Sequence, residues 1–214
     1  MKNILLFGAG KSATVLIDYL VANAAAENWK LIVVDADQQL AKSKIGRTSL
    51  AEAVSFDVND NNQRAKYIGQ ADIVISLLPP ALHIKVAKEC IALQKNLLTA
   101  WYVDDEIKHL QQEIENKKLL FLCEMGLDPG IDHMSAMQII HRLQKENAIL
   151  ESFKSHCGGL VAPESDTNPW HYKISWNPRN VVNAGKAGAV FFENNTTQTV
   201  AYENIFENCG HIEL

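Results

Sequence analysis

The chain has 214 residues, 20 Lys and Arg against 25 Asp and Glu, a net charge of −5, and 47% apolar residues. That length suits one large domain, or one domain and part of another, and the acidic balance excludes a general affinity for nucleic acid or an anionic membrane. No apolar run approaches the ~20 residues that cross a bilayer, and a single Lys2 ahead of a short apolar strand does not make a signal sequence. The cysteines, Cys90, Cys123, Cys157 and Cys209, include no CxxC pair, which argues against a zinc site or a disulfide framework and suits a reducing cytoplasm.

The first element is a strand over 3–8, NILLFG, within MKNILLFGAGKSA. Gly8, Gly10 and Ala13 fit G-x-G-x-x-G/A, with Lys11 and Ser12 inside the turn. The first glycine allows a tight turn, the second lets main chain approach a pyrophosphate, and the small third residue lets helix and strand pack closely. A helix over 12–26 then offers its N-terminal N–H groups to phosphate. The spacing therefore predicts binding of a nicotinamide dinucleotide, NAD(P).

LIVVDA (31–36) reads as the second strand, and Asp35 at its end either bonds adenosine ribose hydroxyls or caps the following turn. Lys42, Lys44 and Arg47 follow closely and suit a 2′-phosphate, or a solvated helix end, so the choice between NAD and NADP stays open, leaning to NAD on Asp35 alone. AVSFDV (53–58) would place Asp57 and Val58 at the sheet's carboxyl edge, beside adenine, with Asp60 capping a helix over 61–68. DIVISLL (72–78) puts Ser76, Leu77, Leu78 and Pro79 along the cofactor crevice, while Pro79 and Pro80 also stop the strand and start a helix over 81–93. His83, near that start, reads as a surface polar residue. A strand over 96–100, a helix over 104–117 and a strand over 119–125 follow.

Continuous apolar strands alternating with amphipathic helices predict an α/β fold, a Rossmann-like doubly wound parallel sheet. From residue 126 the character changes: a helix runs from Pro129 to Glu146, then come short strands and loops rich in Gly, Asn, Thr and Pro. The expected division is a dinucleotide-binding domain over 1–125 and the start of an α+β substrate domain over 126–214.

Three stretches gather polar groups near glycine or proline at expected strand ends: TAWYVDDE (99–106), CEMGLDPGIDHMSA (123–136) and HCGGLVAPESDTNPWHYKISWNPR (156–179). With LPPALHIKVAKECI upstream, they resemble the saccharopine dehydrogenase family, closest to its glutamate-forming branch, over essentially the whole chain. The resemblance implies reversible oxidoreduction in lysine metabolism: the glutamate amine condenses with aminoadipate semialdehyde, and the imine is reduced by hydride. It also carries the family's site positions to Asp128, Cys157 and Tyr102, with Asp128 first choice for relaying protons. A helix cap, a buried thiol and a packed aromatic are their respective structural alternatives. The substrate's three carboxylates need cations, for which Lys173 and Arg179 are candidates, and Gly158 and Gly159 expose main-chain N–H groups. Asp132 and His133 either orient the helix start or approach a metal for which no third ligand is evident.

Two positions depart from the family pattern. Trp101 stands where a small hydroxylated residue is common, and Asp35 is unexpected in a branch that generally uses NADP. The resemblance also runs out with the chain, so the sequence reads as an N-terminal portion, and the missing sheet material predicts a homodimer or higher homo-oligomer. An enzyme acting on another amino-acid-derived imine, such as carboxynorspermidine, and a non-catalytic cofactor-binding module are the competing expectations.

Overall fold

The computed structural model describes residues 1–156, 161–174, 186, 188–205 and 207. Two compact units divide the chain, Met1–Ser155 and His156–Leu214.

The first unit runs β1 (Lys2–Phe7), α1 (Thr14–Asn23), β2 (Trp29–Val34), α2 (Gln38–Ile45), β3 (Ala51–Val54), α3 (Asn61–Gln70) and β4 (Ile73–Ser76). It continues with α4 (Pro80–Ala92), β5 (Asn96–Thr99), α5 (Asp105–His109), α6 (Gln111–Asn116), β6 (Phe121–Leu122) and α7 (Ile131–Lys145). All strand pairs are parallel, and the order is β3-β2-β1-β4-β5-β6. That is the doubly wound dinucleotide-binding order, reversing between β1 and β4.

The apolar runs of β1 and β2 are continuous because each strand feeds two cores. Leu5, Phe7, Ile32 and Val34 face α3, α4 and α5, packing with Ile68, Val86, Ala87, Cys90 and Ile107. Ile4, Leu6, Leu31 and Val33 face α1 and α2, packing with Ala13, Ile17, Leu20, Ala41 and Ile45. Helix starts follow local chemistry: the carboxylates of Asp37, Asp60 and Asp104 accept N–H bonds from the first turns of α2, α3 and α5, and Pro80 occupies the first turn of α4.

Four departures from the sequence expectation have a physical reason. Helix α2 is new; it is short and polar, with only Ala41 and Ile45 buried, so its apolar period is too brief to register. β3 ends at Val54, four residues early, because Phe56 leaves the sheet to meet Phe7 edge-on at 6.2 Å and to stack on Tyr67 at 5.2 Å. The single helix expected over 104–117 is two, α5 and α6, since the Leu110 N–H bonds the carbonyls of Ile107 and Lys108 and tightens the turn. β6, at the sheet edge, pairs over only Phe121 and Leu122.

In the second unit, the described residues form an antiparallel hairpin, β7 (Ala189–Glu193) and β8 (Thr196–Val200). Asn194 and Asn195 turn it with φ of 51° and 60°, the left-handed pair a two-residue hairpin turn prefers. Single 3-10 turns lie at Pro163–Ser165 and Tyr202–Asn204. Among the described residues no helix is long and apolar enough to cross a membrane.

Candidate functional site

Strand register places the flagged residues of the first unit along one rim. Val54, Val34, Phe7, Ser76 and Thr99 are successive partners across the sheet, so Asp35, Gly8, Leu77 and Ala100 follow at the carboxyl edge. In open α/β sheets ligands bind outside that edge, at the point where strand order reverses; here that point is the gap beyond β1 and β4.

The two glycines of the loop have different physical reasons. Gly8 has φ +99°, and a Cβ there would lie 2.6 Å from the Leu77 carbonyl oxygen; the fold itself requires it. Gly10 has φ −61° and ψ −174°, a conformation open to any residue, and a Cβ there would meet nothing within 4 Å. Neither strain nor packing accounts for Gly10, which leaves bare main chain facing open space. Lys11–Ala13 form a 3-10 turn whose start no side chain caps, leaving it suited to an anion. Lys11 and Ser12 are exposed, and Ala13 is buried in the α1 core.

Asp35 and Lys44 both bond this loop. One Asp35 oxygen accepts the Ala9 N–H at 2.7 Å and the other the Asp37 N–H at 2.9 Å. The carboxylate is thus engaged with main chain. The Lys44 ammonium, on α2, donates to the Gly10 carbonyl at 2.5 Å and the Thr14 hydroxyl at 2.7 Å, which sets a cation at the mouth of the loop.

Elsewhere on the rim the flagged residues divide. Asp57 is exposed and its Oδ1 accepts from the Asn59 N–H at 2.8 Å. The Val58 side chain is in the core, and its carbonyl accepts from Arg64 Nη1 at 2.7 Å. Leu77 and Leu78 are half-buried and pack against opposite cores, and Pro79 is exposed.

His83 corrects the sequence expectation: it is buried at 5% exposure. Its Nδ1 lies 2.9 Å from Ser76 Oγ and 3.2 Å from Thr99 Oγ1, hydroxyls on register partners of β4 and β5. Ser76 itself is fully buried, so its side chain faces His83. Burial pushes the imidazole pKa down to about 4 against smaller upward pulls from the Leu78 main chain and Asp104; the ring is neutral at pH 7. Trp101 stacks on it, centroids 5.9 Å apart and 15° from parallel, and the Trp101 main-chain N–H donates to Thr99 Oγ1 at 3.1 Å. Tyr102, 48% exposed, meets Trp101 edge to face at 5.5 Å and 78°. The signal was helical spacing: His83 shares its face of α4 with Val86, Ala87 and Cys90, three, four and seven residues on, all buried.

Asp128 sits exposed in a tight loop closed by Gly126 N–H to the Pro129 carbonyl at 2.9 Å and Ile131 N–H to the Gly126 carbonyl at 3.0 Å. The Asp128–Pro129 peptide is cis. Asp128 does not cap α7. Asp132 holds that start, accepting from the Gly130 N–H at 2.9 Å and lying 2.7 Å from His133 Nδ1. Among the described residues no group of three His, Cys, Asp or Glu side chains could hold a metal.

In the second unit, Lys173 is exposed, in a stretch where His171 Nδ1 meets Asp166 at 2.6 Å and Asn168 donates to the Tyr172 carbonyl at 3.0 Å. Cys157, Gly158, Gly159 and Arg179 lie outside the described residues. Of the other thiols, Cys90 is fully buried and desolvation pushes it up to about 12, and Cys123 is likewise raised by burial; both are poor nucleophiles.

Residues 4–122 match the family model for the saccharopine dehydrogenase NADP binding domain, and residues 126–214 that for the saccharopine dehydrogenase C-terminal domain. The chain is 36% identical over 230 residues to the alpha-aminoadipic semialdehyde synthase of Arabidopsis thaliana, covering 100% of this chain and 22% of that protein. It is 36% identical over 205 residues to the NADP(+), L-glutamate-forming saccharopine dehydrogenase of Saccharomyces cerevisiae, covering 95% and 45%. A solved apo structure of the L-Glu-forming yeast enzyme superposes with a TM-score of 0.83 at 32% identity, covering 100% of this chain and 47% of that one. The chain thus spans less than half the length of these relatives. It belongs to the saccharopine dehydrogenase family.

Proposed function

We propose that this chain forms the coenzyme-binding part, residues 1–125, and the first part of the substrate domain, residues 126–214, of an NADP-dependent oxidoreductase interconverting saccharopine with glutamate and aminoadipate semialdehyde. The observation that carries it is Gly10: a bare, unstrained main-chain position with open space above it, where a diphosphate fits and a side chain would intrude. Coenzyme, when bound, exchanges hydride with the substrate carbon; the protein binds, orients and moves protons.

Asp35 no longer argues for NAD. Its two oxygens hold the Ala9 and Asp37 N–H groups, and the nearby Lys44 supplies the positive charge a 2′-phosphate needs. Lys11, Ser12 and the Gly10 main chain are assigned to the diphosphate, Asp57 to the adenosine end, and the main chain of Ser76, Leu77, Leu78 and Pro79 to the nicotinamide side. Asp128, exposed and with no side-chain hydrogen bond among the described residues, is assigned the proton relay in imine formation and hydrolysis, and Tyr102 and Cys157 are assigned to the same chemistry. Gly158, Lys173 and Arg179 are assigned to the substrate carboxylates. The free thiols Cys90 and Cys123 suit a cytoplasmic setting, and the exposed Ile131, Met134 and Met137 of α7 suit a homodimer.

The test follows absorbance of the reduced nicotinamide, with glutamate and aminoadipate semialdehyde supplied together with NADPH or NADH. Turnover faster with NADPH, lost in Asp128→Asn while coenzyme binding persists, is expected. Coenzyme uptake without turnover in the wild type, or turnover only with a polyamine precursor, overturns the assignment.

A further inference from the structure

We propose that Asp132 is a positioning residue for Asp128, gripping the chain on both sides of it. The Asp132 main-chain N–H donates to the Leu127 carbonyl at 3.1 Å, which belongs to the peptide unit entering Asp128. The Asp132 carboxylate accepts at Oδ1 from the Gly130 N–H at 2.9 Å, which belongs to the peptide unit leaving Pro129. That second unit is planar, and its other end is held where the Pro129 carbonyl accepts from the Gly126 N–H at 2.9 Å. The Pro129 ring fixes φ, so ψ of Pro129 is the one soft torsion between this plane and the peptide that follows Asp128. Orienting the outer plane therefore constrains Asp128 itself. Of these grips, the Asp132 carboxylate is the one made by a side chain, and so the one a substitution removes.

The loop closed in this way is seated on the rim of the sheet. A Cβ at Gly126 would lie 3.3 Å from the Ala100 Cβ, just beyond β5, and the Met125 N–H donates to the Thr99 carbonyl at 3.1 Å. Gly130 lies so close over Gly126 that a Cβ on it would collide with the Gly126 carbonyl. The Asp132 side chain is sheltered, at 23% exposure, and His133 Nδ1 steadies it, 2.7 Å from the same Oδ1. Asp128 is exposed. One carboxylate thus serves the loop and leaves the other open to a reacting partner. Misplacing a group near the reacting atoms by about 1 Å lowers turnover by up to ~100-fold. Asp132 also lies in the first turn of α7, where negative charge alone favours the helix; position and charge are separable by substitution.

The proposal rests on the reading of Asp128 as the proton relay, and two readouts keep them separable. Pro129–Gly130 is the one Pro-Gly step in the sequence, so labelling the full chain with carbonyl-13C proline and 15N glycine gives a single linked resonance, the Gly130 amide. Asp132→Ala moves that amide proton upfield and lowers kcat about 10-fold or more. Affinity for NADPH stays within about twofold, because the glycine loop is untouched. Asp132→Asn keeps an acceptor oxygen in place without the charge, whereas Asp132→Glu keeps the charge and displaces the oxygens by one methylene. Resonance and kcat both stay nearer wild type in Asp132→Asn than in Asp132→Glu. The reverse order overturns the proposal, reducing Asp132 to a charge at the helix start. An unmoved Gly130 resonance in Asp132→Ala, or in Asp132→Glu where the alanine variant does not fold, overturns it too, as does a moved resonance with wild-type kcat. Full turnover in Asp128→Asn, or none in the wild type, overturns the relay reading and this proposal with it; that failure is told apart because the Gly130 shift still follows the Asp132 variants.

Discussion

Gly8 approaches Leu77 so closely that a single added carbon at Gly8 would stand 2.6 Å from the Leu77 carbonyl oxygen. That carbonyl is main chain on the neighbouring β4 side, and it cannot rotate away. Gly8→Ala also forces an L-residue to φ +99°. We predict a loss of about 2–4 kcal/mol in stability, read as a lower urea midpoint. Gly10→Ala does the opposite: the urea midpoint holds, and NADPH affinity drops about tenfold or more because the methyl enters the phosphate's place. Equal loss of stability in the two variants is the outcome that defeats this distinction.

Asp35 and Lys44 make opposite predictions about coenzyme choice. A ribose-binding carboxylate at Asp35 would, on removal, weaken NADH and favour NADPH. A carboxylate bonded to the Ala9 N–H instead shapes the loop for both, so Asp35→Ala lowers both affinities by similar factors. Lys44→Met lowers NADPH affinity about tenfold and leaves NADH within about twofold, the size of one lost charge-assisted contact. Isothermal titration of each variant with each coenzyme checks both statements.

The parallel sheet, its alternation with helices and the glycine loop were legible because they repeat: apolar runs, intervening helices and a fixed glycine spacing all follow from local geometry. Asp60 as a cap was readable for the same reason, since its bonds reach only two and three residues ahead. What escaped were relations made by register and packing. The Ser76–His83–Thr99 contact needs β4 and β5 to be neighbours in a particular register, and no sequence spacing encodes that. Likewise, the acid at the end of the second strand was visible, but its turn toward Ala9 depends on where the loop lies in space. Phe56 read as strand because it is apolar, yet it serves the core by leaving the sheet for Tyr67.

Burial of His83 couples folding to pH. The unfolded imidazole titrates at 6.5 and the folded one at about 4, so between those values the unfolded chain binds the extra proton. Stability therefore falls as pH drops from about 6.5 toward 4, by on the order of 3 kcal/mol, and this contribution is flat above 7. Urea midpoints of the wild type and His83→Gln across pH 4–8 check this: the gap between them narrows at acid pH. A constant gap would show that His83 does not titrate in that window.

Arg64 ties the loop after β3 to α4 across the helix layer. It is 7% exposed; Nη1 donates to the Val58 carbonyl at 2.7 Å, and Nη2 to Asn61 at 2.9 Å and to Glu89 at 3.1 Å. Its Nε has no hydrogen-bond partner among the described residues, and Glu89 is the carboxylate that offsets a nearly desolvated cation. Glu89→Ala strands that charge and is expected to cost about 3 kcal/mol. Arg64→Met leaves the Val58 carbonyl and the Asn61 amide oxygen short of one bond each and Glu89 without its cation, but the Glu89 side chain keeps 19% exposure against 8% for Arg64, so the cost is smaller, about 1–2 kcal/mol. The pair Arg64→Met with Glu89→Leu is then less harmful than Glu89→Ala alone, a non-additivity visible in urea denaturation. Strict additivity, or a greater loss for Arg64→Met than for Glu89→Ala, would mean that the guanidinium is braced by its hydrogen bonds and not by its ion pair.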